Sequence, residues 1–114
     1  MNIDVLLSAL PSELVHFLAD EFKKLHERYY LGHWDASQLN GGRFGEIVLR
    51  ILEYKNSGIY TPIGSQIDRE RVIRGVASNT ALFTEMRLTI PRITAVLMDF
   101  RNTRNIAHVG LIAI

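Results

Sequence analysis

Cysteine is absent from the 114 residues, and only three prolines are present. Without cysteine the chain has no disulfide framework, no thiolate nucleophile and no zinc site built on cysteine ligands. Long apolar runs are also missing, since none approaches the roughly 20 residues that cross a bilayer. The opening residues Met1-Asn2-Ile3-Asp4 lack the basic segment that begins a secretory signal. We therefore expect a cytoplasmic protein with no membrane partner.

The amino-acid composition of the chain is typical of a folded domain. Hydrophobic residues make up 47% of the chain and charged residues 22%, which argues against disorder. A chain of this length holds one hydrophobic core, so we predict a single domain over residues 1–114.

The charge is unevenly distributed although the formal net charge is only +1. Residues 1–67 hold six Lys/Arg against eight Asp/Glu, whereas residues 68–114 hold seven against four, and those seven are all arginine. Arginine is well suited to binding phosphate through its planar fork of donors. The same distribution also fits an ordinary solvated face with some carboxylate pairs.

Apolar residues recur at helical spacing throughout, and no convincing pair of strands is present. We predict an all-α fold, an antiparallel helical bundle. The first predicted helix runs from an N-cap at Ser12 to a stop at Gly32, and the second covers about Asn40–Tyr54 and is ended by Asn56-Ser57-Gly58. After these come a loop over Ile59–Ser65, a helix over Ile67–Ala77 with Asp68 as its cap, a short turn within Thr80–Arg87 and a last helix from near Thr89. The apolar stripe predicted for the last helix is Ile93, Val96, Leu97 and Phe100.

Three glycines stand at the predicted start of the second helix, namely Gly41, Gly42 and Gly45. Glycine inside a helix costs about 1 kcal/mol, and a compensating gain is the close approach of a neighbouring helix. A phosphate-binding loop is not indicated, since no strand precedes them and neither nucleotide-binding pattern is present.

No metal site is predicted. His16 and Asp20 are four residues apart on the first helix, and His26 follows, but both histidines fall on polar positions where solvent exposure explains them. We expect neither a metal ion nor another cofactor.

Chemistry-bearing residues concentrate near the end of the chain, where Arg101, Asn102, Arg104, Asn105 and His108 lie within eight residues. On a continuous helix Arg101 and His108 would lie about 20° apart, and Arg104 and His108 about 40° apart. A histidine that titrates near neutral pH can move a proton to or from the 2′-hydroxyl or the leaving oxygen of RNA. An arginine can stabilise the charge of the transition state. The same residues also fit a helix C-terminus whose dipole favours cations.

The run Arg101-Asn102, with six residues between Arg101 and His108, resembles the R-x(4–6)-H motif of the HEPN superfamily. The stretches 89–110 and 40–46 are similar to a bacterial HEPN-like group found with defence and abortive-infection systems.

The resemblance implies a small all-α bundle that acts as a homodimeric ribonuclease of a toxin or antiviral system, with its site at the dimer interface. Carried over by position, Arg101, Asn102 and His108 take the catalytic roles, and Arg104, Asn105 and Glu46 are auxiliary candidates. A partner protein from the same system is a further expectation.

One departure concerns the end of the sequence, because chains of that group generally continue well past the histidine. This sequence stops six residues after His108, with the apolar tail Leu111-Ile112-Ala113-Ile114. The alternative prediction is therefore a truncated, non-catalytic module for dimerisation or partner binding.

Overall fold

The computed structural model describes residues 8–31 and 34–102, with side chains described for all of these except 28, 29, 34–41 and 100–102. The helices are α1 (Ser12–Tyr30), α2 (Trp34–Ser57), α3 (Arg69–Ser78) and α4 (Ile90–Asn102), and a π-helical turn (Glu85–Thr89) leads directly into α4. The described ranges contain no strand, so the predicted all-α fold is confirmed. None of their helices is long and apolar enough to cross a bilayer.

Helix α2 lies at the centre of the molecule and packs against both α1 and α4. The α1 pairing is antiparallel: Phe22 meets Phe44 at a ring-centroid distance of 6.1 Å, while Tyr60, beyond the end of α2, donates to Glu13 at 2.6 Å. The main cluster of buried residues consists of Leu49, Leu52, Ile67, Val72 and Val76. It joins α2, α3 and the loop between them.

The predicted helix boundaries are confirmed where local chemistry specifies them. The Asp68 side chain accepts from the Arg71 N–H at 3.1 Å and caps α3, as its position before the helix predicts. Gly58 follows α2 with φ of +81°, and its N–H donates to the Tyr54 carbonyl at 2.7 Å. Ser12 is the first residue of α1 rather than its cap, since the Pro11 carbonyl already accepts from the Leu14 N–H at 3.0 Å.

The start of α2 differs from the prediction, because the helix begins at Trp34 and contains the glycines that were expected to open it. A Cβ atom at Gly45 would lie 2.6 Å from the Met98 Cγ and 3.6 Å from the Thr94 Cγ2. The predicted close helix approach is thus confirmed at Gly45. This packing against α4 offsets the intrinsic helix cost of the glycine.

Replacing Gly45 with valine should lower the free energy of unfolding by about 1–3 kcal/mol, because the added atoms overpack the contact between α2 and α4. Urea unfolding measures the change. Adding Met98→Ala to the same variant should restore part of the loss, since it opens the space that the valine needs. A Gly45→Val variant as stable as the parent would show that this contact is loose.

The turn before α4 also differs from the prediction of one short helical turn ending at Arg87. The Ile90 N–H donates to the Glu85 carbonyl in the wider π register, and Pro91, which has no N–H, follows at a buried position. Arg87 holds the segment against the end of α3 through the Ala77 carbonyl, which accepts from Nε at 3.2 Å and from Nη2 at 2.9 Å.

Two residues of the apolar stripe predicted for the last helix are exposed and do not pack into the core. Ile93 is 56% exposed and Val96 64% exposed, and Ile90 beside them is 37% exposed. The face that packs inward instead contains the fully buried Pro91 and the buried Thr94, whose hydroxyl donates to the Ile90 carbonyl at 2.7 Å. Helix α4 therefore carries a second, uncovered apolar face, the Ile90/Ile93/Val96 face.

Candidate functional site

The predicted catalytic segment begins in the last turn of α4. Arg101 and Asn102 are the final two residues of this helix. His108, Arg104 and Asn105 lie outside the described residues, as does His33. The pairing of Arg101 with His108 therefore stays a prediction.

The end of α4 that carries Arg101 lies beside the first half of α2 and the start of α3. Met98 meets Gly45 of α2, and the Asp99 carboxylate accepts from Arg69 Nη1 of α3 at 2.7 Å. Glu46, the auxiliary residue predicted from another helix, directly follows Gly45. The fold thus places the segment containing Glu46 at the same end of the bundle as Arg101 and Asn102, the described start of the predicted motif.

Glu46 lines a cleft of about 460 Å³ between α1, α2 and the loop that follows α2. The helices contribute residues at helical spacing, so that each presents one face to the cleft. The lining residues are Phe17, Glu21, Arg43, Glu46, Ile47, Arg50, Ile63, Gly64, Ser65 and Gln66. Four ionisable side chains in a cleft of this size make it the strongest candidate binding site among the described residues.

Arg50 fixes the loop wall of this cleft. The side chain is only 3% exposed and donates to four carbonyl oxygens rather than to a carboxylate. Nε reaches Thr61 O at 2.9 Å, Nη2 reaches Ser65 O at 2.7 Å and Pro62 O at 3.2 Å, and Nη1 reaches Glu46 O at 3.2 Å. The guanidinium thereby holds the loop against α2 and leaves a buried positive charge in the wall.

Glu21 is the unusual group of the cleft. The residue is 7% exposed, and its Oε2 atom is buried with no hydrogen-bond partner. Lys24 Nζ lies 3.8 Å from Oε1, which is beyond hydrogen-bond distance. A buried acceptor without a donor costs about 1–3 kcal/mol, so the structure keeps this carboxylate at the expense of stability.

Replacing Glu21 with leucine should raise the free energy of unfolding by about 1 kcal/mol, because the buried Oε2 that has no donor is removed, and this outweighs the loss of the long ion pair between Oε1 and Lys24 at 3.8 Å. Thermal or urea unfolding measures the change. The exposed Glu27→Leu on the same helix is the matched control and should change stability by less than about 0.5 kcal/mol. A clear loss of stability on Glu21→Leu would show that the carboxylate is bonded in solution.

Glu53 is a buried carboxylate with a structural role. It accepts from the Thr61 N–H at 2.6 Å, the Thr61 hydroxyl at 3.1 Å and Arg71 Nη2 at 2.8 Å. Burial raises the pKa of Glu53, but the hydrogen bonds from Thr61 and Arg71 together with the Arg71 charge outweigh it and hold the pKa below its usual value. With Arg50, it fixes both sides of the loop at Thr61.

Most of the described arginines in residues 68–114 form ion pairs or hydrogen bonds within the chain. Arg69 and Arg71 form ion pairs with Asp99 and Glu53, and Arg87 bonds to the Ala77 carbonyl. Arg74 Nε donates to the Glu70 carbonyl at 3.3 Å. Arg92 is exposed and bonds to no other group of the described chain. Over the described residues the charge pattern thus mainly reflects intramolecular pairing.

The histidines of α1 are exposed, as their polar positions predict. His26 packs its ring between Phe22 and Tyr30, at centroid distances of 6.0 and 4.7 Å. The described residues contain no group of three or more His, Asp or Glu arranged to hold a metal ion.

Two residues of the cleft, Glu21 and Arg50, were not predicted from the sequence. Each is a charged residue inside an otherwise amphipathic helix, and such a residue normally indicates a solvent-facing position. Arg50 shares helical spacing with Arg43, Glu46 and Ile47, which is the one pattern that could have indicated a common face.

Comparisons with known proteins identify no relative: no family model matches the chain, and no curated protein or solved structure is significantly similar to it.

Proposed function

We propose that this chain is a metal-independent endoribonuclease of the HEPN type, acting as a cytoplasmic homodimer in a toxin or antiphage defence system. The observation that carries the proposal is the last helix of the all-α bundle. It has an uncovered apolar face and ends in Arg101-Asn102, the first residues of the motif.

The Ile90/Ile93/Val96 face supports the dimer. Residues three apart lie along one side of a helix, so these side chains form an apolar strip that the described part of the structure leaves exposed. Two-fold pairing of such strips is self-complementary. Arg101 lies five residues beyond Val96, about 7.5 Å along the helix axis and about 140° around it, so pairing of these faces keeps the ends of both α4 helices near the interface without stacking the two Arg101 positions directly.

The motif supplies the groups that RNA cleavage needs. His108 moves the proton of the attacking 2′-hydroxyl or of the leaving 5′-oxygen, and Arg101 stabilises the negative charge that builds on the phosphate oxygens. Asn102 donates to a phosphate oxygen or orients one of the other two residues. The 2′-oxygen forms a bond to phosphorus as the 5′-oxygen leaves, so the product carries a 2′,3′-cyclic phosphate.

Product analysis tests this chemistry. The purified chain, kept in EDTA, should cleave single-stranded RNA and leave 2′,3′-cyclic phosphate ends that mass spectrometry identifies. A substrate with 2′-deoxyribose at every position should not be cut. Absence of cleavage, or cleavage that leaves 5′-phosphate ends, would overturn the proposal.

The second candidate function is a non-catalytic module for dimerisation or partner binding. It is favoured by the same Ile90/Ile93/Val96 face together with the internal pairing of most described arginines, which leaves little free positive charge for RNA. A dimer in light scattering combined with no RNA cleavage would support this candidate over the nuclease.

Replacing Ile93 with glutamate should convert the dimer into a monomer, because two carboxylates would be buried across the two-fold contact. RNA cleavage should be lost with it. Light scattering measures the mass, and circular dichroism should show an unchanged helix content because Ile93 is exposed in the single chain. Ile59→Glu, at a 73% exposed isoleucine in the loop after α2, is the matched control and should stay dimeric and active. A dimeric Ile93→Glu protein would place the interface elsewhere.

A further inference from the structure

The cleft of Glu21 and Arg50 combines features that the nuclease motif does not use. It holds a buried carboxylate whose Oε2 has no donor, an aromatic ring one helical turn before it at Phe17, and an exposed arginine, Arg43, at its edge. Its volume of about 460 Å³ falls within the range of about 300–1,000 Å³ for small-molecule sites.

We propose that this cleft binds a guanine base, with the Glu21 carboxylate accepting from its paired N–H groups. The assignment of RNA as the source of that base rests on the proposed function. Guanine is the RNA base that presents a ring N–H and an exocyclic amine side by side on its pairing edge. An ionised carboxylate has two acceptor oxygens, and these match the pair of donors.

The surroundings of Glu21 fit a flat, neutral ligand. Phe17 lies four residues before Glu21 on the same face of α1, so its half-buried ring can stack on a base whose edge meets the carboxylate. Arg43 is exposed and can reach the phosphate of the nucleotide that carries this base. Arg43 and Arg50 balance the charges of Glu21 and Glu46, so the lining has no net formal charge, which suits a neutral base better than the other ligand with paired donors, a guanidinium cation.

Binding involves a change of side-chain rotamer at Glu21. Its Oε2 is closed to bulk water in the structure. Because a half-turn about the terminal torsion only exchanges two equivalent oxygens, a change of χ1 or χ2 to another staggered rotamer brings the carboxylate to a base in the cleft. The donors of the base then satisfy an acceptor that the protein itself leaves unpaired.

Calorimetric titration of the full chain with guanosine, inosine and adenosine monophosphates tests the proposal. Inosine monophosphate lacks only the exocyclic amine of guanosine monophosphate, so its affinity should be about 10-fold or more lower, since a hydrogen bond to a charged group is lost. Adenosine monophosphate should not bind measurably. Equal affinities for the guanosine and inosine compounds, or no saturable binding of the guanosine compound at millimolar concentration, would overturn the assignment.

Glu21→Gln should lower the affinity for guanosine monophosphate by about 10-fold or more, while Glu27→Gln on the exposed side of α1 should leave it unchanged. Circular dichroism verifies that both variants keep the helix content of the parent. Full-affinity binding to Glu21→Gln, or binding of arginine amide in place of the nucleotide, would contradict the proposal.

The two proposals can fail separately. Guanosine binding without any RNA cleavage would leave the guanine site intact and remove the nuclease. Cleavage in EDTA by a chain that does not distinguish guanosine from inosine monophosphate would remove the guanine site alone.

Discussion

Replacing Arg50 with methionine should lower the free energy of unfolding by about 3 kcal/mol, the largest stability effect we expect in this chain. Methionine fills part of the volume but donates no hydrogen bond, so the carbonyl oxygens of Thr61, Pro62 and Ser65 lose a charged donor. The loop after α2 would lose its main attachment to that helix. Urea unfolding followed by circular dichroism measures the change.

Two further variants test the cause of this effect. Arg50→Lys keeps the charge but cannot reproduce the planar fork, so it should cost roughly half as much as Arg50→Met. The exposed Arg74, whose Nε makes one bond of 3.3 Å, provides the control, and Arg74→Met should change stability by less than about 0.5 kcal/mol. An Arg50→Met protein within that range of the parent would show that the loop is held by other contacts.

Replacing Arg101 with alanine should reduce the rate of RNA cleavage by about 100- to 1,000-fold, because the charge of the transition state loses its principal donor. Arg101→Lys should recover only part of that rate, since an ammonium cannot contact two phosphate oxygens as a guanidinium does. Initial rates on a fluorescent RNA, measured in EDTA, give both values.

Arg92→Ala is the matched control for Arg101→Ala. Arg92 lies on the same helix and is exposed, and its loss should change the rate of cleavage by less than about threefold. Equal losses at Arg92 and Arg101 would indicate that the helix contributes a general positive charge rather than a specific catalytic group.

The helix ends that were predicted correctly are those determined by residues close to them in the sequence. Asp68 caps α3 through a side chain three residues from its donor, and Gly58 ends α2 with a backbone conformation that glycine adopts readily. These signals need no knowledge of the rest of the chain. The start of α2 was placed at about Asn40 instead of Trp34 because the helix cost of Gly41, Gly42 and Gly45 is a local signal, whereas the contact of Gly45 with Met98 that offsets part of this cost is tertiary.

The candidate site was less predictable for a related reason. Ile93 and Val96 match an inward-facing stripe by spacing alone, but the packing of α4 against α2 buries Pro91 and Thr94 instead. Helical periodicity gives the angle between residues and not the direction of the core. Glu46 was named only as an auxiliary residue of the motif, and that role stays a prediction, whereas the cleft that Glu46 lines also holds Glu21 and Arg50, buried charges whose environment depends on the loop after α2.

The measurement that most directly tests the proposed nuclease is the initial rate of RNA cleavage in EDTA by the parent chain and by His108→Ala, purified side by side. We expect cleavage by the parent and a rate about 100- to 10,000-fold lower for the variant, with the same dimer mass and helix content. Equal rates for the two proteins, or no cleavage by the parent, would contradict it.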